Sequence, residues 1–386
     1  MFTKLRYLTS GESHGKGLLG ILDGIPAGLE ISEREIRLEL ARRQRGYGRG
    51  ARMKIEIDFA EIWGGVRHGK TIGAPIGLLL KNKDWDNWQN KMDIKPNKKP
   101  GKKVTLPRPG HADLAGMQKY DFDDIRNVLE RSSARETAMR VALGSVCKKL
   151  LHDIGIKIGS HVTQIYKVRS DLELDYYSCP ESISENADNS PVRCLDLDKE
   201  KDMIKVIDKA KSDGDSVGGV FEVIVSGLPY GLGSHVQWDK KLHSRIAQSM
   251  MSVNAFKGIE VGSGFSQAEK FGSEVHDEIG FDGMKFTRSS NNCGGMEGGM
   301  SNGQPLIIKS VMKPIPTLIK PLKSVDFFSK EKKLAHKERT DSCAVPAASI
   351  VAESMVCFVI VDAVLEKFGG DTMDQLKSHI KISGKY

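Results

Sequence analysis

The sequence predicts an α+β fold built on antiparallel sheets. Two observations carry this reading. Short β-type runs recur along the chain, at Leu18–Leu22, Lys54–Phe59, Ile76–Leu80, Gly219–Val225 and Leu306–Met312. They do not alternate with helices in the regular rhythm that a doubly wound parallel sheet requires.

Each helix has its own signal. The first opens on a capping box, Ser32-Glu-Arg-Glu35, carries Ile36 and Leu40 on one face, and ends before Gly46. The second is expected from Asp123 to His152, where Val128, Ala138, Val141, Ala142 and Leu150 follow helical spacing and Gly155 supplies the stop. A third covers about 240–256. A fourth starts near Pro346, a favourable first-turn residue, and stops at Gly369-Gly370. It is apolar all round, with Glu353 and Asp362 the main interruptions, which reads as a core helix rather than a membrane span. Residues 81–103 form a Lys-rich surface loop, and residues around 170–200 form a polar peripheral insertion.

Composition narrows the function classes. With 386 residues, 39% of them hydrophobic, the chain can bury a sizeable core and is too apolar for disorder. Six Cys without a C-x-x-C pair write neither a disulfide scaffold nor a zinc site, so no metal is expected. The start at Met1 shows no secretory pattern, so the expected compartment is the cytoplasm. The net charge of +8 invites a nucleic-acid reading, but its placement argues against one. Residues 81–103 hold eight Lys against three Asp, and residues 41–54 hold five Arg and one Lys without an acid. These two windows exceed the net charge, so the remainder is slightly acidic. Few aromatics interleave the basic windows, whereas stacking on aromatics is what single-stranded nucleic acid requires.

Two motifs are decoys. Gly64-Gly-Val-Arg-His-Gly69-Lys70-Thr71 fits the phosphate-binding G-x-x-x-x-G-K-[ST] expression of nucleotide triphosphatases. That chemistry needs a helix starting at the Lys-Thr, and Ile72-Gly-Ala-Pro-Ile-Gly-Leu78 cannot form one. Gly11-Glu-Ser-His-Gly15 fits the hydrolase nucleophile elbow, but a β-like run follows it where the elbow opens a helix.

What remains is a scatter of Arg beside small polar residues and His: Arg42, Arg43, Arg45 and Arg49; Pro107-Arg108-Pro109-Gly110-His111; Arg131-Ser-Ser-Ala-Arg135; and Arg339-Thr340-Asp341. Arg presents a rigid fork suited to carboxylate and phosphate. Arg131 and Arg135 are expected four apart on one helix face.

These groups together resemble the chorismate synthase family. The matching segments are Gly11-Glu-Ser-His-Gly15 running to Asp23-Gly-Ile-Pro26, Arg43-Gln-Arg-Gly-Tyr-Gly-Arg49-Gly-Ala-Arg-Met53, Pro107-Arg-Pro-Gly-His-Ala-Asp113 and Glu130-Arg-Ser-Ser-Ala-Arg-Glu-Thr137. Ser252-Val-Asn-Ala-Phe-Lys-Gly258, Gly298-Gly-Met-Ser-Asn-Gly303, Lys313-Pro-Ile-Pro-Thr317 and Arg339-Thr-Asp341 complete the series in family order. Thr340 stands where the family usually has Ser, which keeps the hydroxyl.

The resemblance implies one domain over 1–386, a β-α-β sandwich and a homotetramer. It implies anti-1,4-elimination of phosphate from 5-enolpyruvylshikimate 3-phosphate to give chorismate, with reduced FMN. By carry-over, Ser13, Arg43, Arg49, Arg108, Arg135 and Arg339 bind substrate. Arg131, Ser132, Ser133, Asn254, Ala255, Gly298, Lys313, Pro314, Ile315, Pro316, Thr317 and Arg339 match positions that line FMN. His14 resembles the acid for the departing phosphate, His111 the group that protonates or neutralises reduced flavin, and Asp341 the residue that assists proton removal by way of flavin N5. The site is expected to be rich in Arg and poor in acids, with a compensating hydrogen bond beside His14 if that ring is to be cationic. No separate dinucleotide fingerprint appears, so an external flavin reductant is expected, and neither nucleic acid nor membrane is an expected partner.

Overall fold

The computed structural model describes residues 2–50, 57–96, 101–338 and 340–383. In chain order it runs through strands β1 (Arg6–Ser10) and β2 (Gly17–Asp23), helix α1 (Glu33–Gln44), and strands β3 (Ala60–Gly64) and β4 (Ile76–Lys81). Helix α2 (Thr137–Asp153), strands β5 (Lys157–Ile165) and β6 (Val168–Arg169), and helices α3 (Pro180–Asp188) and α4 (Leu197–Asp213) follow. Strand β7 (Gly219–Ser226), helix α5 (Leu242–Met251), strands β8 (Phe256–Val261) and β9 (Leu306–Met312), and helices α6 (Val345–Phe368) and α7 (Met373–Ser383) complete the framework.

Mixed helices and antiparallel sheets make this an α+β fold. One sheet has the order β1-β2-β4-β3 and the other β8-β9-β7-β5-β6, with every neighbouring pair antiparallel. Helix α2 packs against β2 and β4 of the first sheet, α6 against β5 and β7 of the second, and the two helices pack on each other. Two glycines permit this closeness. A Cβ on Gly20 would lie 2.5 Å from the Met139 sulfur, and one on Gly144 would lie 2.4 Å from the Ser354 Cβ.

Helix α6 is long and apolar enough to cross a membrane, but its whole apolar stretch is buried inside the fold and only Glu366 and Lys367 near its end are exposed. Two of its three acids, Glu353 and Asp362, are buried and satisfied. Glu353 accepts from Arg42, Lys148, Ser160 and Ser184. Burial opposes its ionisation, yet Arg42 and Lys148 hold its carboxyl well below the ordinary range. Asp362 takes the backbone N–H groups of Thr3, Lys4 and Leu5 and pairs with Arg245, fastening the N-terminal segment to the core.

Several boundaries differ from the sequence reading, each for a local reason. The capping box at Ser32 and Glu35 is formed as expected. The strand expected over 54–59 falls partly outside the described residues, and 57–59 are irregular, because Asp58 turns inward to two arginines and the strand starts only at Ala60. The helix expected over 123–152 is three pieces: Arg126–Leu129, a 3-10 turn at Ala134–Glu136, and α2. Ser133 caps the second piece by accepting from the Arg135 N–H, which breaks the helix at 130–133. Arg131 and Arg135 therefore do not share a helix face: Arg135 is buried and Arg131 exposed. The helix expected over 240–256 ends at Met251, and Phe256 already belongs to β8.

The segment around 170–200 is peripheral only in its first part. Helix α3 packs on β5, and Arg193 is buried against Ser349 and the Ser160 carbonyl. Residues 66–71 of the phosphate-loop look-alike form a small hairpin, Val66–Arg67 with Lys70–Thr71, and no helix follows.

Candidate active site

A cavity of about 330 Å³ opens where the loops after β1, α1 and β9 meet the broken helix at 130–137 and the N-terminal turns of α6. Part of the lining is apolar, with Ala344, Ala347, Ala348 and Val351 of α6 or its lead-in, Ile315 and Val253. Another part of the lining is polar. Arg43, Arg49, Arg108, Arg135 and Lys313 line it with His14 and His111, against two lining acids, Glu338 and Asp341. The balance is cationic among the described residues, which suits a ligand with several negative charges.

The expectation of an acid-poor site needs correction. Most of the arginines are held from behind by a buried carboxylate. Asp58 lies 2.5 Å from Arg135 Nη1 and 3.5 Å from Arg43 Nη1. Arg43 also donates to the Thr137 hydroxyl and the Ala134 carbonyl, at 3.1 and 2.9 Å. Burial, reinforced by Arg49 and Arg135 and resisted by Asp58, lowers the Arg43 guanidinium to about 10. Asp113, with no exposed surface, takes Arg108 Nε at 2.8 Å and Nη2 at 3.0 Å. These carboxylates offset much of the cost of burying a guanidinium and fix its orientation.

The same device holds the histidines. His111 Nδ1 lies 2.5 Å from Asp113 Oδ1, so one carboxylate orients His111 and Arg108 together. Burial opposes ionisation of Asp113, but the hydrogen bonds from His111 and Arg108 outweigh it and hold its pKa below the ordinary carboxylate range. Arg108 Nη1 also donates to Thr317 at 2.8 Å, tying the 108–113 loop to the segment after β9. His14 Nδ1 lies 2.9 Å from Glu130 Oε2, which also accepts the His14 backbone N–H at 2.9 Å. Glu130 is the compensating partner expected beside His14. Arg126 completes that group, donating to Glu130 at 3.0 Å and approaching Glu338 at 3.7 Å.

Asp341 is fixed from two sides. Its Oδ1 accepts the Gly50 N–H at 2.6 Å, and Oδ2 lies 3.2 Å from Arg49 Nε. The loop after α1 thus delivers a cation and an acid-positioning amide together. Ser13 and Ser133 share a 3.0 Å hydroxyl contact, and Asn254 donates to the Ser132 carbonyl. Ala255 sits at φ +73, a left-handed conformation unusual for a non-glycine residue. The Lys313 N–H donates to its carbonyl at 2.9 Å and helps hold that conformation.

The cavity brings together Ser13, His14, Arg43, Arg49, Arg108, His111, Ser132, Ser133 and Arg135 from the first half of the chain. Asn254, Ala255, Lys313, Ile315, Pro316, Thr317 and Asp341 come from the second. Three expected residues do not line it. Arg131 is exposed and donates to the Thr9 and Gly11 carbonyls, while Ala134 takes the lining place beside Ser133. Pro314 is exposed between lining neighbours. Gly298 turns the hairpin Met296–Glu297 with Met300–Ser301, which packs on the start of α5, so within one chain it lies away from the site. Arg339 lies outside the described residues.

Sequence reasoning gave no role to Asp58, Asn82, Trp88, Asp113, Arg126, Glu130 or Glu338. Asp113 and Glu130 stood inside recognised segments, two and one residues from His111 and Arg131, and that adjacency was the available signal. Asp58, Asn82 and Trp88 carried none, since their partners are far along the chain.

Comparisons with known proteins agree with one another. A family described as chorismate synthase matches residues 5–365. A curated protein of Listeria welshimeri named chorismate synthase is 55% identical over 384 residues, covering 98% of either chain. One of Aquifex aeolicus with the same name is 55% identical, covering 98% of this chain and 96% of the relative. A crystal structure of chorismate synthase superposes with a TM-score of 0.80 at 44% identity, covering 100% of this chain and 98% of the other.

Proposed function

The chain belongs to the chorismate synthase family and is a carbon–oxygen lyase that converts 5-enolpyruvylshikimate 3-phosphate into chorismate and phosphate, a step of the shikimate pathway, and from that premise we propose that its cavity takes the substrate and reduced FMN side by side. The observation that carries this reading is the mixed lining of the cavity. Five cationic side chains and two histidines line it together with small apolar residues of α6 and its lead-in. A planar ring system would pack against Ala344, Ala347 and Ala348, and phosphate and carboxylate groups would pair with the arginines. When bound, reduced FMN supplies transient electron density that eases cleavage of the ring C–O bond and returns as the ring proton leaves.

The chain's own residues supply the rest. Ser13, Arg43, Arg49, Arg108 and Arg135 orient the substrate's carboxylates and phosphate, with Arg339 expected to join them. Ser132, Ser133, Asn254, Ala255, Lys313, Ile315, Pro316 and Thr317 are the residues that would hold FMN. With Nδ1 engaged by Glu130, His14 would deliver its proton to the departing phosphate through Nε2. His111, oriented by Asp113, holds a proton toward reduced flavin. Asp341, oriented by Arg49 and Gly50, assists removal of the ring proton. Fixed charges in a cavity with a partly apolar lining stabilise developing charge without reorganising, which is how such a site lowers a barrier.

The layer order of sheet, α2, α6 and sheet fits a β-α-β sandwich. A cytoplasmic homotetramer served by an external flavin reductant fits the family. In support of assembly, Leu8, Leu19, Ile21 and Trp63 are at least half exposed on the outer side of the first sheet, an apolar surface that a second copy would cover. The test is His14→Ala under anaerobic conditions with reduced FMN. Turnover should fall by about 10²–10⁴-fold while flavin binding, read from flavin fluorescence, is unchanged. Unaltered turnover would remove His14 from the mechanism.

A further inference from the structure

We propose that Trp88, carried by the Lys-rich segment after β4, is a positioning residue that clamps the His14 ring against Glu130. The proposal rests on His14 being the acid described above.

The His14 ring and Trp88 are each held from more than one side. The Trp88 and His14 rings are stacked, with centroids 3.8 Å apart and planes 19° from parallel. Glu130 holds the edge of the same imidazole at Nδ1. Trp88 is itself held, since its indole N–H donates to the buried Asp84 at 3.2 Å and the Arg126 guanidinium lies 5.1 Å from its ring centroid. Arg126 also donates to Glu130, so one cation touches both jaws of the clamp.

The root of the segment is fastened to the same loop. The Asn82 side-chain nitrogen lies within 2.9–3.2 Å of the carbonyls of Glu12, Ser13 and Gly15, and the Asn82 N–H donates to the Lys16 carbonyl. Its side-chain oxygen accepts from Arg135 Nε at 2.9 Å. Asn82 and Asp84 are buried at 4% and 3% exposure in a stretch whose composition is that of a solvated loop. A segment needed only for charge has no reason to bury two polar side chains at its base and direct an indole onto a ring in the cavity.

The stack supplies what Glu130 cannot. A hydrogen bond to Nδ1 leaves the imidazole able to swing about that contact, whereas an indole face fixes the ring plane and keeps water from one side of it. A general acid misplaced by about 1 Å can lose roughly 10²-fold in rate.

The test uses the full-length enzyme with Trp88→Ala, Trp88→Phe, His14→Ala and the two double variants, each first checked for an unchanged melting transition. Trp88→Ala should lower kcat by about 10- to 100-fold with KM for substrate within about threefold, and Trp88→Phe should restore most of the loss. In the His14→Ala background, Trp88→Ala should cost nothing further. A histidine ring in contact quenches indole emission. His14→Ala should therefore brighten tryptophan fluorescence in the wild-type background and leave it unchanged in Trp88→Phe.

A normal kcat for Trp88→Ala beside an impaired His14→Ala overturns the clamp and leaves the His14 reading intact. Full additivity in the double variant likewise overturns it. Normal turnover in His14→Ala fails the underlying reading and the clamp's catalytic purpose with it. Equal brightening in both backgrounds overturns the stack itself.

Discussion

Glu130 grips His14 at two points, taking its backbone N–H and its ring Nδ1 each at 2.9 Å. The carboxylate is 1% exposed and shares its other oxygen with Arg126. The histidine therefore enters the cavity with its ring nitrogen and its backbone fixed by one group. Glu130→Gln keeps the shape and removes the charge. It should lower kcat by about 10- to 100-fold with smaller effects on substrate KM, measured by chorismate formation under anaerobic conditions. An unchanged kcat would mean that the charge on Glu130 does not matter to His14.

Asp113 does for His111 and Arg108 what Glu130 does for His14. Its pKa is depressed in the folded protein. Its stabilising contribution is therefore complete above the unfolded-state value of about 3.9 and is lost as pH falls through the lower folded value. Asp113→Asn should be less stable than wild type near pH 6 in urea unfolding, and the gap should narrow as the pH falls below about 4. A gap independent of pH would contradict the assignment.

Glu353 binds together cations from three elements: Arg42 of α1, Lys148 of α2 and Arg193 of the segment after α3. Removing it leaves those charges buried without their common partner. Glu353→Ala should destabilise by about 3–5 kcal/mol in denaturant unfolding, whereas substitution of an exposed acid such as Asp198 should have little effect.

The contact between α2 and α6 depends on Gly144. Alanine there gains helix propensity of about 1 kcal/mol, but its Cβ would meet the Ser354 Cβ at 2.4 Å. Overpacking at this seam should outweigh the gain, giving a net loss of about 1–2 kcal/mol, read by thermal unfolding.

The sequence carried different parts of this protein with different clarity. The strands around Leu18–Leu22, Ile76–Leu80, Gly219–Val225 and Leu306–Met312 were legible because alternation or continuous apolar runs mark them locally, and the capping box marked α1. The break at 130–133 was not, because Arg-Ser-Ser-Ala is compatible with helix and only the capping bond of Ser133 shows otherwise. Of the site, the arginines and histidines could be singled out by type and neighbours. The buried carboxylates that aim them could not. Asp58 serves residues fifteen positions before it and seventy-seven after it, and the chain gives no local sign of such a pairing. The Lys-rich segment misled for a related reason: its composition is that of a surface loop, and only the fold shows that Asn82, Asp84 and Trp88 point inward.

The central claim is that this enzyme releases phosphate from 5-enolpyruvylshikimate 3-phosphate with the help of reduced flavin in the arginine-lined cavity. The most direct measurement is an anaerobic single-turnover reaction with stoichiometric reduced FMN, following phosphate and chorismate together. The account predicts equal amounts of both with reduced FMN and neither with oxidised FMN. Phosphate release without flavin, or without chorismate, would contradict it.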